Sequence, residues 1–341
     1  MAVHPRQARL ARLCRILIER LNGAEMPLPA IFDALRLPVI AAPMFIVSNP
    51  ELVIAQVRAG IVGSFPALNA RPVSQLDEWL DRITQETQGC GAPFAVNLIV
   101  HRTNPRLQED LAVLEKWKVP LVITSLGANA EVNAAVHGWG GMVMHDVIDD
   151  AFARKAVEKG ADGLIAVAAG AGGHAGTQSP FALMQEIRAW FDGPVALSGA
   201  IACGRSILSA QAMGADFAYI GTPWIATPEA NAAEVYKQAI VEGRAADIVN
   251  SNLFTGIHGN YLRPSIVAAG MDPDNLPEGD KSQMNFGSGG NMDVKAWKDI
   301  WGAGQGIAAI GAIEPVATRV AALEAQYQSA KNELRTRTGM G

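Results

Sequence analysis

Of the six histidines in the chain, one stands in a setting that could do chemistry. His174 belongs to the run Gly170-Ala171-Gly172-Gly173-His174-Ala175-Gly176, with no bulky side chain on either side. Such glycines let backbone approach a planar ligand while the imidazole projects toward it. An imidazole with its ordinary pKa of about 6.5 can take a proton at neutral pH, so His174 is the candidate catalytic base. The competing reading is a surface-loop histidine without a role. The same run also fits the loose dinucleotide pattern G-x-G-x-x-A. That pattern should open a βαβ unit and be followed about 20 residues later by an acidic residue ending the next strand. Here it follows the sixth of eight apolar segments, and residues 192–198 read DGPVALS, so the dinucleotide reading is rejected.

Two further places suit a phosphate. Ser198-Gly199-Ala200 precedes a helix starting near Gly204, and Gly221-Thr222 closes the following apolar run. Backbone amides aimed by a helix N-terminus reach phosphate oxygens only where side chains are small. Glycines that merely tighten turns would look the same.

Other tips of apolar runs carry Ala42-Pro43-Met44, Ser64 and Phe65, Asn97, Thr124 and Ser125, and His145 and Asp146. His145 either touches a ligand or caps the core. His101 and His258 read as structural or solvated, and His4 and His137 carry no signal. No histidine–carboxylate spacing suits a metal, so no catalytic metal is expected. Cys14, Cys90 and Cys203 lie far apart without a zinc or disulfide framework. Neither a G-x-S-x-G motif nor a Cys–His pairing suggests a hydrolytic nucleophile.

The elements that must hold these residues are legible from Pro38 onward. Eight near-continuous apolar runs recur about every 26 residues: 39–44, 61–67, 94–100, 121–126, 142–147, 164–169, 195–201 and 217–224. Continuous rather than alternating apolarity predicts parallel strands covered on both faces. Between them lie helical stripes such as Leu76, Trp79, Leu80 and Ile83, then Leu107, Leu111 and Leu114. Asn49-Pro50, Asn104-Pro105 and Ser179-Pro180 signal helix starts, and Gly60, Gly160 and Gly214 signal stops. Eight βα units predict a closed α/β TIM (β/α)8 barrel, with a doubly wound open sheet as the competitor. In such a barrel the site lies at the C-terminal ends of the strands, where the residues above fall.

Three regions are expected. Residues 1–34 form an Arg-rich amphipathic helix and lead-in, either packed on the barrel or acting as a transit or membrane-surface segment. Residues 35–244 with 307–335 form the barrel, the last part being a helix from about Pro315 to Arg335. Residues 245–306, rich in Gly, Asn, Asp, Ser and Pro, form a loop-like cap over its mouth. Leu253, Phe254, Tyr261, Met284 and Phe286 in this cap either wall an apolar pocket or pack the cap on the barrel. Twenty-eight basic and 33 acidic residues leave a net charge of −5, without the basic patch that nucleic acid or an anionic membrane would require.

Several motifs together resemble the nitronate monooxygenases, once called 2-nitropropane dioxygenases. They are APM with a following SNPE helix, GIVGSF, FAVNL, DGLIAVAAGAGGHAGTQSPFAL, PVALSGAIACGRSILSAQAMGADFAYIGTPWIATPEA, NLFTGIHGNYLR and WGAGQG. The likeness covers about residues 35–330, and GGHAG and GADFAYIGT are its most specific parts. The chain departs from the commoner pattern at Ala166-Val167-Ala168-Ala169-Gly170, where family members often carry Gln-Gly-x-Glu-Ala. It departs again at Ala200, where a second glycine is usual.

The resemblance implies FMN in the barrel. Ala42, Pro43, Met44 and Asn97 would lie at the flavin edge, Gly172 and Gly173 near the ring, and Ser198, Gly199, Ala200, Gly221 and Thr222 at the phosphate. His145 joins this cofactor-binding set. It implies that His174 removes the acidic proton beside a nitro group or poises the bound nitronate, and that O2 completes oxidation to a carbonyl compound and nitrite. The expected partners are a small-molecule substrate (nitronate or nitroalkane) and O2, with no nucleic acid and no membrane. A homodimer is the assembly in view and the cytoplasm the expected compartment. Two other functions compete: an FMN-dependent NAD(P)H reductase of quinones or enoyl thioesters, and a barrel that binds a phosphorylated ligand without flavin chemistry.

Overall fold

A computed structural model describes residues 28–279 and 298–339. The eight apolar runs are strands β1 (Val39–Ala41), β2 (Gly63–Pro66), β3 (Phe94–Ile99), β4 (Leu121–Ser125), β5 (Met142–Val147), β6 (Gly163–Val167), β8 (Val195–Ser198) and β9 (Phe217–Ile220). A two-residue strand, β7 (Gly173–His174), comes between them in the chain and belongs to a different sheet. The barrel order is β1-β9-β8-β6-β5-β4-β3-β2, and these neighbours pair in parallel. Ile40 bridges Val62 across the remaining gap; Ala41 N donates to Val62 O at 2.8 Å and Val62 N to Val39 O at 3.1 Å. The ladder therefore returns to its start, and the fold is a TIM barrel.

Alternation along the strands fills the axis. Ile40, Val62, Ala95, Ile123, Met144, Ile165, Ala196 and Phe217 form one buried cluster, whereas the intervening residues, such as Val96, Val122 and Val143, pack outward on the helices. Fully burying one such side chain stabilises by roughly 1.5–3 kcal/mol. Phe32, in a short 3-10 turn (Ala30–Phe32), lies 4.6 Å ring to ring from Phe217, the first residue of β9. That contact stoppers the N-terminal end of the barrel and leaves the opposite end as its mouth.

Helices α1 (Pro50–Arg58), α2 (Val73–Glu86), α3 (Leu107–Lys116), α4 (Ala130–Gly138), α5 (Asp150–Glu158), α6 (Pro180–Arg188), α7 (Gly204–Ala212), α8 (Thr222–Ile225) and α9 (Glu234–Glu242) follow in order. Asn49 caps α1 as expected, its Oδ1 accepting from Leu52 N at 2.9 Å. The Asn104-Pro105 signal does not open α3, which starts at Leu107. Asn104 instead donates to Ile99 O and accepts from Arg106 N, so its side chain closes a turn. Gly60, Gly160 and Gly214 end their helices at φ of +87°, +92° and +94°, the left-handed conformation that glycine alone adopts without cost.

The stretch expected to be loop-like is more regular than its composition suggests. Strands β10 (Ile248–Ser251) and β11 (Gly259–Leu262) pair antiparallel, and helix α10 (Arg263–Ala268) follows. Phe254, Tyr261, Ile266 and Ile300 form a small core of their own with Leu253 packed against it, and the Phe254 and Tyr261 rings meet edge-on at 4.9 Å. The final helix α11 spans Val316–Thr338. The amphipathic segment over 1–27, with Met284 and Phe286, lies outside the described residues. Among the described residues no helix is long and apolar enough to cross a membrane.

Candidate functional site

At the mouth, the ends of β6, β8 and β9 converge on one cavity. Its walls include Gly170, Gly172, Ser198, Gly199, Ala200, Tyr219, Gly221 and Thr222, together with Gly304 and Gly306. Six of the lining residues are glycines, and their close contacts explain why. A Cβ on Gly172 would stand 2.8 Å from Gly304 N, one on Gly304 2.8 Å from Gly170 O, and one on Gly306 2.7 Å from Ala200 O. Side chains there would collide with backbone or fill the space. A phosphate fits such a place, because its oxygens need close backbone amides and no intervening side chain.

Gly304 and Gly306 were not singled out from spacing, although they lie in the WGAGQG motif. They reach the site through tertiary folding. Gly304 N donates to Thr222 Oγ1 at 2.9 Å, and Gln305 N to Gly170 O at 2.9 Å. Ala200 N also donates to Gly170 O, at 3.2 Å. Ala200 has φ of +55°, a left-handed backbone that explains why glycine would be at home there.

One expectation is corrected. The N-terminus of α7 does not aim its amides at the cavity. Ser206 Oγ accepts from Ala202 N and Cys203 N, and Gln326 Oε1 of α11 accepts from Gly204 N at 2.9 Å. A Cβ on Gly204 would lie 2.2 Å from Tyr327 N, so this glycine serves helix packing. The glycine wall is therefore loop backbone and does not include that helix end.

The first-strand turn joins the cavity rim. A Cβ on Gly221 would contact Ala42 Cβ at 3.4 Å and Met44 Sδ at 3.6 Å. Ala42 N donates to Ile220 O at 2.7 Å, Ser48 Oγ accepts from Met44 N, and Asn69 Nδ2 donates to Met44 O. Pro43 lies between these anchors.

His174 is set by β7, which pairs antiparallel with β11: Gly259 stands opposite His174 and Asn260 opposite Gly173. Buried Asn260 donates to Ala171 O at 2.6 Å and steadies the loop from the other side. His174 Nε2 lies 2.9 Å from Thr255 Oγ1, and Thr255 Oγ1 donates its hydrogen to Ile257 O at 3.0 Å. The hydrogen between them therefore sits on Nε2, with the ring lone pair on Nδ1. Burial pulls this imidazole down to about 4, so it is neutral near pH 7, while cation formation there requires a nearby anion.

His145 is placed apart from the cavity. It shares the outward face of β5 with Val143 and Val147, is 5% exposed and bonds Thr124 Oγ1 through Nδ1 at 2.6 Å. Asp146 takes the inward position in its stead, and Ser125 Oγ donates to Asp146 Oδ2 at 2.6 Å. Asn97 also faces inward, donating through Nδ2 to Ser125 Oγ at 2.6 Å and to Ile123 O at 3.0 Å. His258 bonds Asn250 and His101 bonds Thr103.

Comparison with known proteins agrees with this architecture. The family model described as nitronate monooxygenase matches residues 102–270. A nitronate monooxygenase from Paraburkholderia phytofirmans is 27% identical, over 87% of this chain and 94% of that one. Among solved structures, nitroalkane oxidase from Streptomyces ansochromogenes has a TM-score of 0.74 at 24% identity, covering 89% of this chain and 100% of that one. FabK from Thermotoga maritima has a TM-score of 0.72 at 24% identity, covering 90% and 97%. At that identity the two structures speak for the barrel, while the family model and the near-full-length relative speak for kinship. The chain is thus a TIM barrel similar in sequence to the nitronate monooxygenases.

Proposed function

We propose that the chain oxidises alkyl nitronates, or the nitroalkanes that yield them, with O2 to a carbonyl compound and nitrite. In balanced form two nitronates consume one O2 and give two carbonyls and two nitrites. FMN would be the cofactor and would supply the one-electron chemistry with O2. Gly199, Ala200, Gly221 and Thr222 would hold its phosphate, with Gly172 and Gly173 beside the ring and the Ala42-Pro43-Met44 turn and Asn97 at its edge.

The observation that carries this reading is the anchoring of His174, held by Thr255 through Nε2 and by the β7–β11 pairing, on the strand that follows Gly172 of the glycine wall. A neutral imidazole can accept the proton on the carbon beside a nitro group. The nitronate formed is an anion next to the new imidazolium, and that pairing offsets the burial that otherwise disfavours the cation. Thr255 holds the ring through Nε2, and the β7–β11 pairing fixes its backbone.

Anaerobic mixing of the purified flavoprotein with propyl-2-nitronate and, separately, with NADH tests the reading. The nitronate is expected to reduce the flavin and NADH to leave it oxidised. Bleaching by NADH alone would establish the competing reductase. His174→Asn is expected to retain FMN and to slow turnover of the neutral nitroalkane about 10²–10⁴-fold, with a far smaller effect on preformed nitronate. Equal losses on both substrates would remove His174 from the role of base.

A further inference from the structure

The carboxylate of Asp146 stands inside the barrel mouth, and the reaction above does not use it. Its inward direction follows from alternation on β5, where Met142 and Met144 belong to the axial cluster. From β4 it is faced by Ser125 Oγ at 2.6 Å and by the Leu126 amide. From β6 Ile165 stands at the same register, and from β9 the phenol of the cavity-lining Tyr219 feels its charge.

The bonds beyond Ser125 have a definite direction. Asn97 Nδ2 donates both to Ser125 Oγ and to Ile123 O. A backbone carbonyl can only accept, so the nitrogen end of the carboxamide must face the strand. Both of its hydrogens are then used within the protein. What this side chain offers a ligand is its oxygen, an acceptor. The Ile123 carbonyl sets which end faces the strand, and Ser125, by giving its single hydrogen to Asp146, turns its lone pairs toward Asn97 as the second acceptor, an arrangement that an ionised Asp146 enforces.

We propose that Asp146 is a positioning residue. Acting through Ser125, it locks Asn97 so that the carboxamide oxygen is presented to a ring N–H of the bound cofactor. This rests on the flavin reading above and assigns Asn97 the part of acceptor toward a planar heterocycle with an N–H edge. Protonation of Asp146 releases the Ser125 hydrogen and loosens the lock. Burial raises this carboxyl from 3.8 to about 6, which brings the change into an accessible pH range.

The test compares FMN dissociation constants of wild type, Ser125→Ala, Asp146→Asn and the double variant between pH 5 and pH 8. Wild type is expected to bind FMN about tenfold more weakly at the acid end, in line with loss of one charge-supported hydrogen bond. Each single variant should show that weaker binding at every pH, and the double variant should be no weaker than either single. Unchanged affinity in both variants, or a pH step that persists in them, would overturn the proposal. A wild type that takes up no FMN would instead defeat the flavin reading. The lock is then judged in the ligand-free protein from the Asn97 side-chain amide resonances. These should shift with a midpoint near pH 6 in wild type and stay still in Asp146→Asn; movement in both proteins would refute the role of Asp146.

Discussion

Gly304 N donates to Thr222 Oγ1 at 2.9 Å, joining a loop that follows the small sheet to the residue just past the last barrel strand. The bond brings Gly304 against Gly170 and Gly172 and completes the glycine wall. Thr222→Val keeps the side-chain shape but leaves that amide without its acceptor. A loss of about 1 kcal/mol in stability is expected, with weaker FMN binding, and Thr222→Ser should restore both. Denaturant melts with FMN titrations check this; a valine variant that binds as wild type would show that the loop is held by other contacts.

Ala200 is an L-residue in the left-handed region, at φ of +55°. Such a conformation costs roughly 1–2 kcal/mol relative to the right-handed one, and glycine removes most of that cost while adding freedom to the unfolded chain. Ala200→Gly should therefore stabilise the protein by up to about 1 kcal/mol without FMN. A lowered midpoint in chemical denaturation would contradict the strain.

Glycines in the wall should tolerate substitution differently from glycines elsewhere. A methyl at Gly306 would press on Ala200 O and C at 2.7 and 2.9 Å, both backbone atoms, whereas one at Gly311 meets nothing within 4 Å. Gly306→Ala is expected to cost about 1–3 kcal/mol and to reduce FMN uptake; Gly311→Ala should be near neutral. Similar melting temperatures for the two variants would argue against a packed wall.

Acid should weaken the fold through its histidines. Burial pulls His145 and His174 from 6.5 to about 4, so the unfolded chain binds protons that the folded chain refuses. Their contribution is complete above pH 6.5 and is lost as pH falls through 4. Asp146 opposes them: raised from 3.8 to about 6, it contributes stability below 3.8 that is lost as pH rises through 6. With two groups against one, stability should fall between pH 6.5 and pH 4. His145 alone accounts for roughly 3 kcal/mol of that fall once fully protonated. Urea midpoints for wild type and His145→Asn decide the matter, since the variant should show the shallower pH slope. Parallel slopes would mean that His145 is not buried neutral.

The barrel was legible because its signal is local. Each apolar run is long enough to be buried on both faces, as Val122 and Ile123 are, one outward and one on the axis. Small residues at the run ends likewise announced the mouth: Gly172, Gly199, Gly221 and Thr222 do line a common cavity. His145 and Asp146 show where such reading stops. Both end the same strand, and which one points inward is a matter of register, set by Met144 packing on the axis. Residue type carries no facing information, so the sequence alone does not separate the two.

Order along the chain, strand character and the glycine-rich tips were therefore determined by sequence alone, since they depend on neighbours a few residues apart. Tertiary structure decided which distant segments complete the site. His174 lies on a strand because residue 259 folds back to pair with it, and the wall closes because Gly304 meets Thr222. Gly259 and Gly304 are ordinary glycines when read in line, in a region whose composition suggests loops. Their roles arise from backbone approach across about 80 residues of chain, which intrinsic propensity does not encode and only the packed barrel imposes.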